Sequence, residues 1–289
     1  MYIPAAQRAL IGSMVRRYRN DAGLYLADTA SFLNCDLSKM SRIESGERGF
    51  SPAELRQLLT GLGVDAGAQD LLAGISGWRE TPGWWQDYLS VLPSPYLDFV
   101  IPETFAAQAL IYAPSQIPEP LCVPSYIEAL VAADPSIPRS QEARVVEATQ
   151  IRQQIVVNER RIRLSVVIGE AALRQQVGGA DVLRDQLVRL AELTSSDHGH
   201  ISVRILPFDA GASAAGGAGG FSVLQFDEIP SLAVMHLSGP DGGQCLFDPR
   251  VTASYVNVFP SLTLHSLTPS LSARKIIQMA DRSSLISEG

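Results

Sequence analysis

The stretch LSKMSRIESGERG, residues 37–49, decides the fold of the first part of this chain. Met40 and Ile43 lie three residues apart, which predicts a short helix that buries both, with Leu37 at the edge of the buried face. Gly46 follows at the position where a helix ending in a left-handed residue favours glycine. The opposite face carries polar side chains that can reach base edges and phosphates in a major groove. They are Ser38, Lys39, Ser41 and Arg42.

The sequence around this helix predicts four more short helices. Three are expected at about residues 4–22, 26–33 and 66–75. The run SPAE, residues 51–54, begins another, with Ser at the N-cap, Pro at the first position and Glu two residues later. A tight turn at residues 34–36, with Asp36 as an N-cap, joins the second helix to the third. These two helices form a helix-turn-helix, and the helix within residues 37–49 is interpreted as its recognition helix.

The N-terminal part resembles the Xre, or lambda-repressor-like, DNA-binding family. The resemblance depends on Arg19, Ala30, the run SRIE at residues 41–44, Gly46 and the Ser-Pro start of the fourth helix. It implies that Arg19 pairs with Glu44, which makes this glutamate a scaffold residue although it lies on the recognition helix. Where the family has a glutamine and a core leucine, this chain has Leu26 and Thr29. These departures predict either a weaker grip on DNA or a shifted second helix.

The same resemblance implies roles for exposed side chains. The base-facing positions are Leu37, Ser38, Ser41 and Arg42, and the candidate phosphate contacts are Lys39, Arg48, Arg16 and Arg17. The alternative for each of them is a solvated surface without a DNA contact. Because one such module covers little DNA, we expect a homodimer on a palindromic operator with half-sites about one helical turn apart.

Composition limits the class of protein. The chain of 289 residues is 46% hydrophobic and 18% charged, which is typical of a globular protein with about two domains. The net charge of −7 argues against an indiscriminate nucleic-acid binder, but residues 1–60 carry eight basic and six acidic groups. We therefore predict a DNA-binding domain over residues 1–78 and a more acidic domain over residues 79–289.

Cysteine usage and hydropathy predict a cytoplasmic location. The three cysteines are far apart and show neither metal-ligand spacing nor a disulfide framework. No apolar run approaches the roughly 18 residues of a membrane span, and the N-terminus lacks the pattern of a signal peptide. We expect no membrane contact.

The second part is predicted to be a mixed α/β domain with a small sheet, which makes the whole chain α+β. Strands are expected within residues 163–170 and at 201–206, 221–226 and 232–237, the last two as neighbours in a hairpin. Helices are expected at about residues 103–112, 124–133, 140–159, 170–177, 180–197, 249–258 and 270–281.

Residues 79–240 resemble actinobacterial regulators that join an Xre-type module to a C-terminal domain of unresolved function. The shared pieces include Trp84-Trp85, residues 118–126, Arg152-Gln153, the run EAALR at residues 170–174, and VRILPF at residues 203–208. Two departures are the run PEPLCV at residues 118–123 and Thr149, where the family has an arginine. The resemblance implies a small protein partner, since such regulators are often encoded beside one.

Several residues of the second part are candidates for binding. Arg152, Glu170 and Arg174 could form a buried ion pair or hold a polar ligand or effector. Trp84 and Trp85, with Trp78, could pack at the domain junction or line a ligand pocket. The run DHGH at residues 197–200 favours a polar loop over a metal site, and the glycine-rich run at residues 211–220 lacks the ending of a phosphate loop.

The sequence therefore predicts a DNA-binding transcription regulator that is modulated through its C-terminal domain. An antitoxin-like partner of a small neighbour-encoded protein is the alternative, and an enzyme with a vestigial DNA-binding module is another. No residue is nominated for catalysis, no metal site is predicted, and no cofactor is expected, so we predict that the protein is not an enzyme.

Overall fold

A computed structural model describes residues 5–76, 83–158, 162–195, 199–211, 219–239 and 242–286, with side chains up to residue 281. An all-helical N-terminal part precedes a mixed α/β part with one six-stranded sheet, which confirms the predicted fold class. The predicted boundary between residues 78 and 79 lies outside the described residues. No helix in the described ranges combines the length and apolarity needed to cross a membrane.

Five short helices make up the N-terminal part, and each begins and ends within two residues of its predicted bounds. They are α1 (Ala5–Asp21), α2 (Leu26–Phe32), α3 (Leu37–Glu44), α4 (Pro52–Gly61) and α5 (Ala66–Ile75). Asp36 caps α3, because its carboxylate accepts a hydrogen bond from the backbone N–H of Lys39 at 2.6 Å. Ser51 and Glu54 cap α4 reciprocally, as the run SPAE predicts.

The C-terminal part alternates helices and strands. Its helices are α6 (Ser94–Glu103), α7 (Pro124–Ala133), α8 (Glu142–Gln153), α9 (Ala180–Ser195), α10 (Pro249–His265) and α11 (Pro269–Ile286). Its strands are β1 (Gln108–Ala113), β2 (Arg163–Gly169), β3 (Ile201–Leu206), β4 (Phe221–Gln225), β5 (Ala233–Leu237) and β6 (Gln244–Leu246). A π-helical turn, Gln154–Asn158, continues α8, and Glu159, the predicted end of that helix, lies outside the described residues.

The sheet has a parallel half and an antiparallel half that meet at β1. Its strand order is β3-β2-β1-β4-β5-β6, with β1, β2 and β3 parallel and the remaining neighbours antiparallel. The helices α7 and α8 connect β1 to β2, and α9 connects β2 to β3. The chain then returns to pair β4 with the free side of β1, so the direction in which strands are added reverses there.

Both faces of the sheet are covered. Alternating residues of β1 separate the two cores: Ala109 and Ile111 belong to the larger core with α6, α8 and α9, whereas Leu110 and Tyr112 belong to the smaller one. The smaller core is completed by α10 through Phe259 and other residues of that helix. Burial on both faces explains why β1 and β2 are continuous apolar runs rather than alternating ones.

Two predicted helices of the C-terminal part are wrong. Residues 108–113 form the central strand β1, although a helix was expected over residues 103–112, and the helix predicted at 170–177 is only a short 3₁₀ turn, Glu170–Leu173. The run ETFAAQALIY is rich in residues that favour helices, but its second half is hydrogen-bonded to strands on both sides. The sequence interpretation also missed α6 and β6.

The helix α6 joins the two parts of the chain. The side-chain amide of Gln7 on α1 donates to the carbonyl oxygen of Leu97 on α6 at 3.3 Å, and both residues are buried. On α5, a Cβ at Gly74 would lie 2.6 Å from the ring of Phe105, so glycine is what allows this close packing. The buried side chains of both parts form one continuous cluster.

Candidate DNA-binding face and buried charge clusters

The polar face of α3 is open to solvent in the full-length chain. Ser38, Ser41 and Arg42 are exposed, and so is Arg48 just after the helix. Leu37 is 53% exposed, which leaves it on the outer face and not in the core. The first-turn leucine and the three polar side chains thus share one accessible face, the arrangement that base contacts require.

Two glycines hold α3 tightly against α1. A Cβ at Gly12 would lie 2.4 Å from the carbonyl oxygen of Ile43, and one at Gly46 would lie 2.5 Å from the Cα of Ala9. Gly46 also has a φ of +75°, a conformation that other residues rarely adopt. Met40 and Ile43 are fully buried beneath this contact, as their spacing predicts. Backbone contact therefore fixes the distance between the recognition helix and the scaffold.

Arg19 and Glu44 form an ion pair inside this scaffold. Arg19 donates from Nε to Oε1 of Glu44 at 2.7 Å and from a terminal nitrogen to Oε2 at 3.0 Å. It also donates to the carbonyl oxygen of Leu24, which ties the turn after α1 to α3. Arg16 adds a third bond to Glu44 at 3.2 Å. The glutamate side chain is only 2% exposed, so its charge does not face DNA.

The candidate phosphate contacts have different surroundings. Lys39 pairs with Glu54 at 2.6 Å and thereby ties α3 to the start of α4. Arg17 donates to the carbonyl oxygen of Ser231 in the C-terminal part, at 3.4 Å. Arg16 is half-exposed beside Glu44, whereas Arg48 is exposed. Of these four side chains, Arg48 is therefore the most open to solvent, and it has no partner on α4 or among the described residues of the C-terminal part.

The departure from the family at Thr29 is accommodated inside the core. Thr29 is fully buried, and its hydroxyl donates to the carbonyl oxygen of Leu26, one turn back on α2, at 3.0 Å. The hydroxyl is therefore satisfied within its own helix, and α2 packs against α3. Leu26 is half-buried against the core, so it packs where the family has a polar brace.

A second charge cluster is buried in the C-terminal part around Arg152 of α8. Arg152 binds Glu103 of α6 with two bonds, of 2.6 and 2.8 Å, and Glu119 with one of 2.6 Å. The hydroxyl of Tyr96 accepts from Arg152 at 2.9 Å and donates to Glu119 at 2.9 Å. Burial alone would lower the pKa of Arg152, but the carboxylates of Glu103 and Glu119 hold it above its usual value.

A third cluster surrounds Glu170, and Arg152 is not part of it. Glu170 pairs with Arg174 and with Lys275 of α11, each at 2.6 Å, and accepts from the backbone N–H of Phe208 at 3.2 Å. Burial raises the pKa of Glu170, but Lys275 and Arg174 outweigh it and lower that pKa to about 2. The sequence interpretation placed Arg152 together with Glu170 and Arg174 as candidates for one ion pair or site. The structure corrects this grouping, because Arg152 belongs to one cluster and Glu170 and Arg174 to another.

The sequence interpretation missed the partners of these arginines. Glu103 and Glu119 lie 49 and 33 residues from Arg152, and Lys275 lies on the last helix. No local spacing connects residues so far apart along a chain, and the strand that brings α6 beside α8 was itself predicted as a helix. A buried arginine does, however, require carboxylates nearby, and that requirement is the signal that would justify a search for them.

Two family models match different parts of the chain. A family model described as helix-turn-helix domain matches residues 10–72, and one described as domain of unknown function DUF5753 matches residues 96–278. The chain belongs to the DUF5753 family. No curated protein and no solved structure matches the chain.

The two tryptophans lie just before the DUF5753 domain and anchor the segment that leads into it. Trp85 is buried, and a Cβ at Gly83 would lie 2.2 Å from its indole ring. Trp84 packs edge-on against Trp85, with ring centroids 6.3 Å apart. The next turn is fixed to α8 by Arg144, which lies 4.4 Å above the ring of Tyr88. Trp78 lies outside the described residues.

The histidine candidates of the DUF5753 domain have structural surroundings. Nε2 of His200 lies 2.9 Å from the carbonyl oxygen of Val157, while Asp197 and His198 lie outside the described residues. In the part of the chain that the structure describes, no group of three or more histidines, cysteines and carboxylates is arranged to hold a metal ion. Of the glycine-rich run, residues 212–218 also lie outside it.

Proposed function

We propose that this chain is a sequence-specific transcription regulator of the Xre type, related to the actinobacterial regulators that its sequence resembles. The observation that carries the proposal is the exposed polar face of α3 on a helix whose glutamate is locked inside the scaffold. Ser38, Ser41 and Arg42 contact bases, and Arg48 contacts phosphate. The proposal assigns the chain no catalytic role.

The regulator acts as a homodimer on a palindromic operator. A single module of this size buries only about 600–1,000 Å² on DNA, which is little for specific binding. Exposed apolar side chains on the last two helices are the candidates for a contact between two copies. They are Leu264 (82% exposed), Leu271 (44%) and Ile277 (48%).

The DUF5753 domain modulates DNA binding. Support for this step comes from α6, which packs against α1 and α5 of the helix-turn-helix domain and also carries Glu103, a partner of the buried Arg152. A change in the packing around Arg152 therefore acts on the element that positions the DNA-binding domain.

An antitoxin-like role with a small protein partner is a second candidate. Phe208 is 65% exposed, and the guanidinium of Arg174 lies 5.4 Å from its ring. An exposed aromatic ring beside an arginine is the kind of pair that protein interfaces favour. A stoichiometric complex with the product of a neighbouring gene, lost in Phe208→Ala, would favour this role.

Selection from random DNA by the full-length chain, followed by affinity measurement on the selected site, tests the main proposal. The double variant Ser38→Ala with Arg42→Ala should lower affinity by about 30-fold or more, because a good base contact contributes about 1–3 kcal/mol. Arg184→Ala, which removes an exposed arginine from α9, is the matched control and should leave affinity unchanged. Full affinity in the double variant would refute the assigned recognition face.

The symmetry of the selected site and the mass of the complex test the dimer. We expect two related half-sites about one helical turn apart, and a complex that contains two chains. One chain bound to a site without two-fold symmetry would contradict the dimer and leave the recognition face intact.

A further inference from the structure

A cavity of about 930 Å³ opens at the carboxyl end of β1 in the C-terminal domain. The end of β1 lines it with Ile111 and Tyr112, and the adjoining start of β4 lines it with Phe221 and Ser222. This is the point where the sheet changes from parallel to antiparallel pairing and the strand order reverses. In open α/β sheets, ligands bind outside the carboxyl ends of the strands at such a reversal.

The walls of the cavity combine apolar surface with a few polar groups. The helix α6 contributes Tyr96 and Phe99, and α8 contributes Val145, Thr149 and Arg152. The volume lies within the range of about 300–1,000 Å³ that is typical of small-molecule sites, and such sites share this mixture of apolar walls and convergent polar groups. The cavity therefore has the size and lining of a binding site for a small organic molecule.

Arg152 does not offer its charge to a ligand in this cavity. Its guanidinium makes two bonds to Glu103, whose side chain is 2% exposed, and further bonds to Glu119 and Tyr96. One arginine thus faces two glutamates, which leaves the cluster with a net charge of −1. An anion would have to displace a buried carboxylate, at a high cost in desolvation.

Glu119 is the carboxylate that remains accessible. Its side chain is 38% exposed, and both of its hydrogen bonds end on Oε2, so no residue in the described ranges donates to Oε1. The other charged residue of the lining is acidic as well, Asp134. His236 adds no positive charge at neutral pH, because burial lowers its pKa. The cavity is therefore negative in sign and apolar in most of its surface.

We propose that this cavity binds a small organic cation, a protonated amine with an aromatic or aliphatic body. The ammonium group pairs with Oε1 of Glu119, and the body packs against the ring of Tyr96 and the side chains of Ile111 and Val145, which lie on the same face of the sheet. Cations are attracted to aromatic faces as well as to carboxylates, so charge and lining favour the same ligand class.

The same helix that lines the cavity contacts the DNA-binding domain. Tyr96 and Phe99 of α6 face the cavity, while Leu97, between them, accepts the hydrogen bond from Gln7 of α1. A bound cation that moves α6 would therefore move α1 and, with it, α3. The role of the cavity as an effector site rests on the proposed DNA-binding function. The binding of the cation itself does not depend on that function.

Three probes with the same phenylethyl body and different charge test the site on the whole chain by calorimetry: 2-phenylethylamine, 2-phenylethanol and 3-phenylpropionate. We expect the amine to bind at least tenfold more tightly than the alcohol or the carboxylate. Glu119→Gln should lower amine affinity about tenfold and leave the alcohol unchanged, since the change removes one charge and keeps the shape. Glu128→Gln, which removes an exposed carboxylate from α7, is the matched control and should change nothing.

Equal affinity for the three probes, a preference for the carboxylate, or no binding at millimolar concentration would each overturn the proposal. If Glu119→Gln does not fold, the comparison of the three probes on the unaltered chain still decides it. Ser222→Leu, which fills the cavity from β4, should abolish amine binding; retained binding would place the amine elsewhere and refute the site.

The effector role is tested separately, on the DNA site selected by the chain. Saturating amine should change operator affinity of the unaltered chain at least threefold and have no effect on Ser222→Leu. Amine binding without any change in operator affinity would refute the coupling through α6. Amine binding by a chain that selects no DNA site would instead refute the proposed function and leave the cation site standing.

Discussion

Two charge clusters in this molecule share one arrangement, in which a buried central charge pairs with two charges of the opposite sign. The sign of the central charge differs between the two clusters. In the DNA-binding domain one glutamate, Glu44, is shared by Arg19 and Arg16, which leaves a net charge of +1. In the C-terminal domain one arginine, Arg152, is shared by two glutamates, which leaves −1. In each cluster two members form the buried pair and the third is the more exposed one.

The exposed third member shows what each cluster can attract. Arg16 is 51% exposed in the helix-turn-helix domain, and Glu119 is 38% exposed in the cavity. The buried pairs, by contrast, fix geometry: one holds α3 against α1 and the other holds α6 against α8. Fully paired charges position helices, and the remaining charge of each cluster determines the sign of the partner that it attracts.

The largest effect is expected when the central member of the C-terminal cluster is removed. Arg152→Met leaves Glu103 buried without a partner and should lower the free energy of unfolding by about 4 kcal/mol, since an uncompensated buried charge is costly. Urea unfolding followed by circular dichroism measures the loss. Adding Glu103→Leu to Arg152→Met should restore most of the lost free energy of unfolding. A loss below about 1 kcal/mol would mean that the pair does not hold α6 to α8.

A smaller loss is expected at the centre of the N-terminal cluster. Glu44→Gln keeps the shape of the side chain but removes the charge that Arg19 and Arg16 share, and should lower the free energy of unfolding by about 2 kcal/mol. The loss is smaller than at Arg152 because Arg16 is half-exposed and Arg19 keeps its bond to the carbonyl oxygen of Leu24. Glu47→Gln, on the exposed turn after α3, is the control for thermal unfolding. Equal melting temperatures for both variants would contradict the scaffold role.

The contrast between the clusters also explains what the sequence could and could not predict. The N-terminal helices depend on caps, glycines and spacings that lie within a few residues of each other, such as Asp36 and the SPAE run. The C-terminal cluster depends on β1, whose residues favour a helix until strands on both sides pair with it. The sequence singled out Arg152 as a charged residue of interest, but its partners lie too far along the chain for any local pattern to identify them.

The pair of Arg19 and Glu44 shows the other route by which a distant contact can be anticipated. These residues are 25 positions apart, and the family resemblance, not spacing, implied that they meet. The resemblance over residues 79–240 named single residues without pairing them, so it gave no comparable guide to Glu103, Glu119 or Lys275. The sequence did not predict the cavity either. Its lining comes from six separate stretches of the chain that only the folded sheet brings together.

The smallest effect is expected at Asp98, a carboxylate that belongs to neither cluster. Asp98 lies on α6 near Arg8 of α1, and its buried Oδ1 has no hydrogen-bond donor among the residues that the structure describes. Burial raises the pKa of Asp98 to about 6, and the charge of Arg8 offsets only part of that shift. The native state therefore binds this proton more tightly than the unfolded chain does. The stability that protonation of Asp98 contributes is fully present below about pH 4 and is lost as the pH rises through about 6.

Asp98→Asn stays neutral at every pH and should be more stable than the unaltered chain only where Asp98 is charged. We expect a gain of about 1 kcal/mol at about pH 8, after discounting for partial exposure to solvent, and no gain at about pH 4. Urea unfolding at both pH values measures this gain in stability. Asp87→Asn, at an exposed aspartate, is the control. The same gain at both values would show that packing, and not charge, sets the effect. A gain confined to high pH would show that the charge of Asp98 destabilises the contact of α6 with the DNA-binding domain, whereas every charge of the two clusters has a partner of opposite sign.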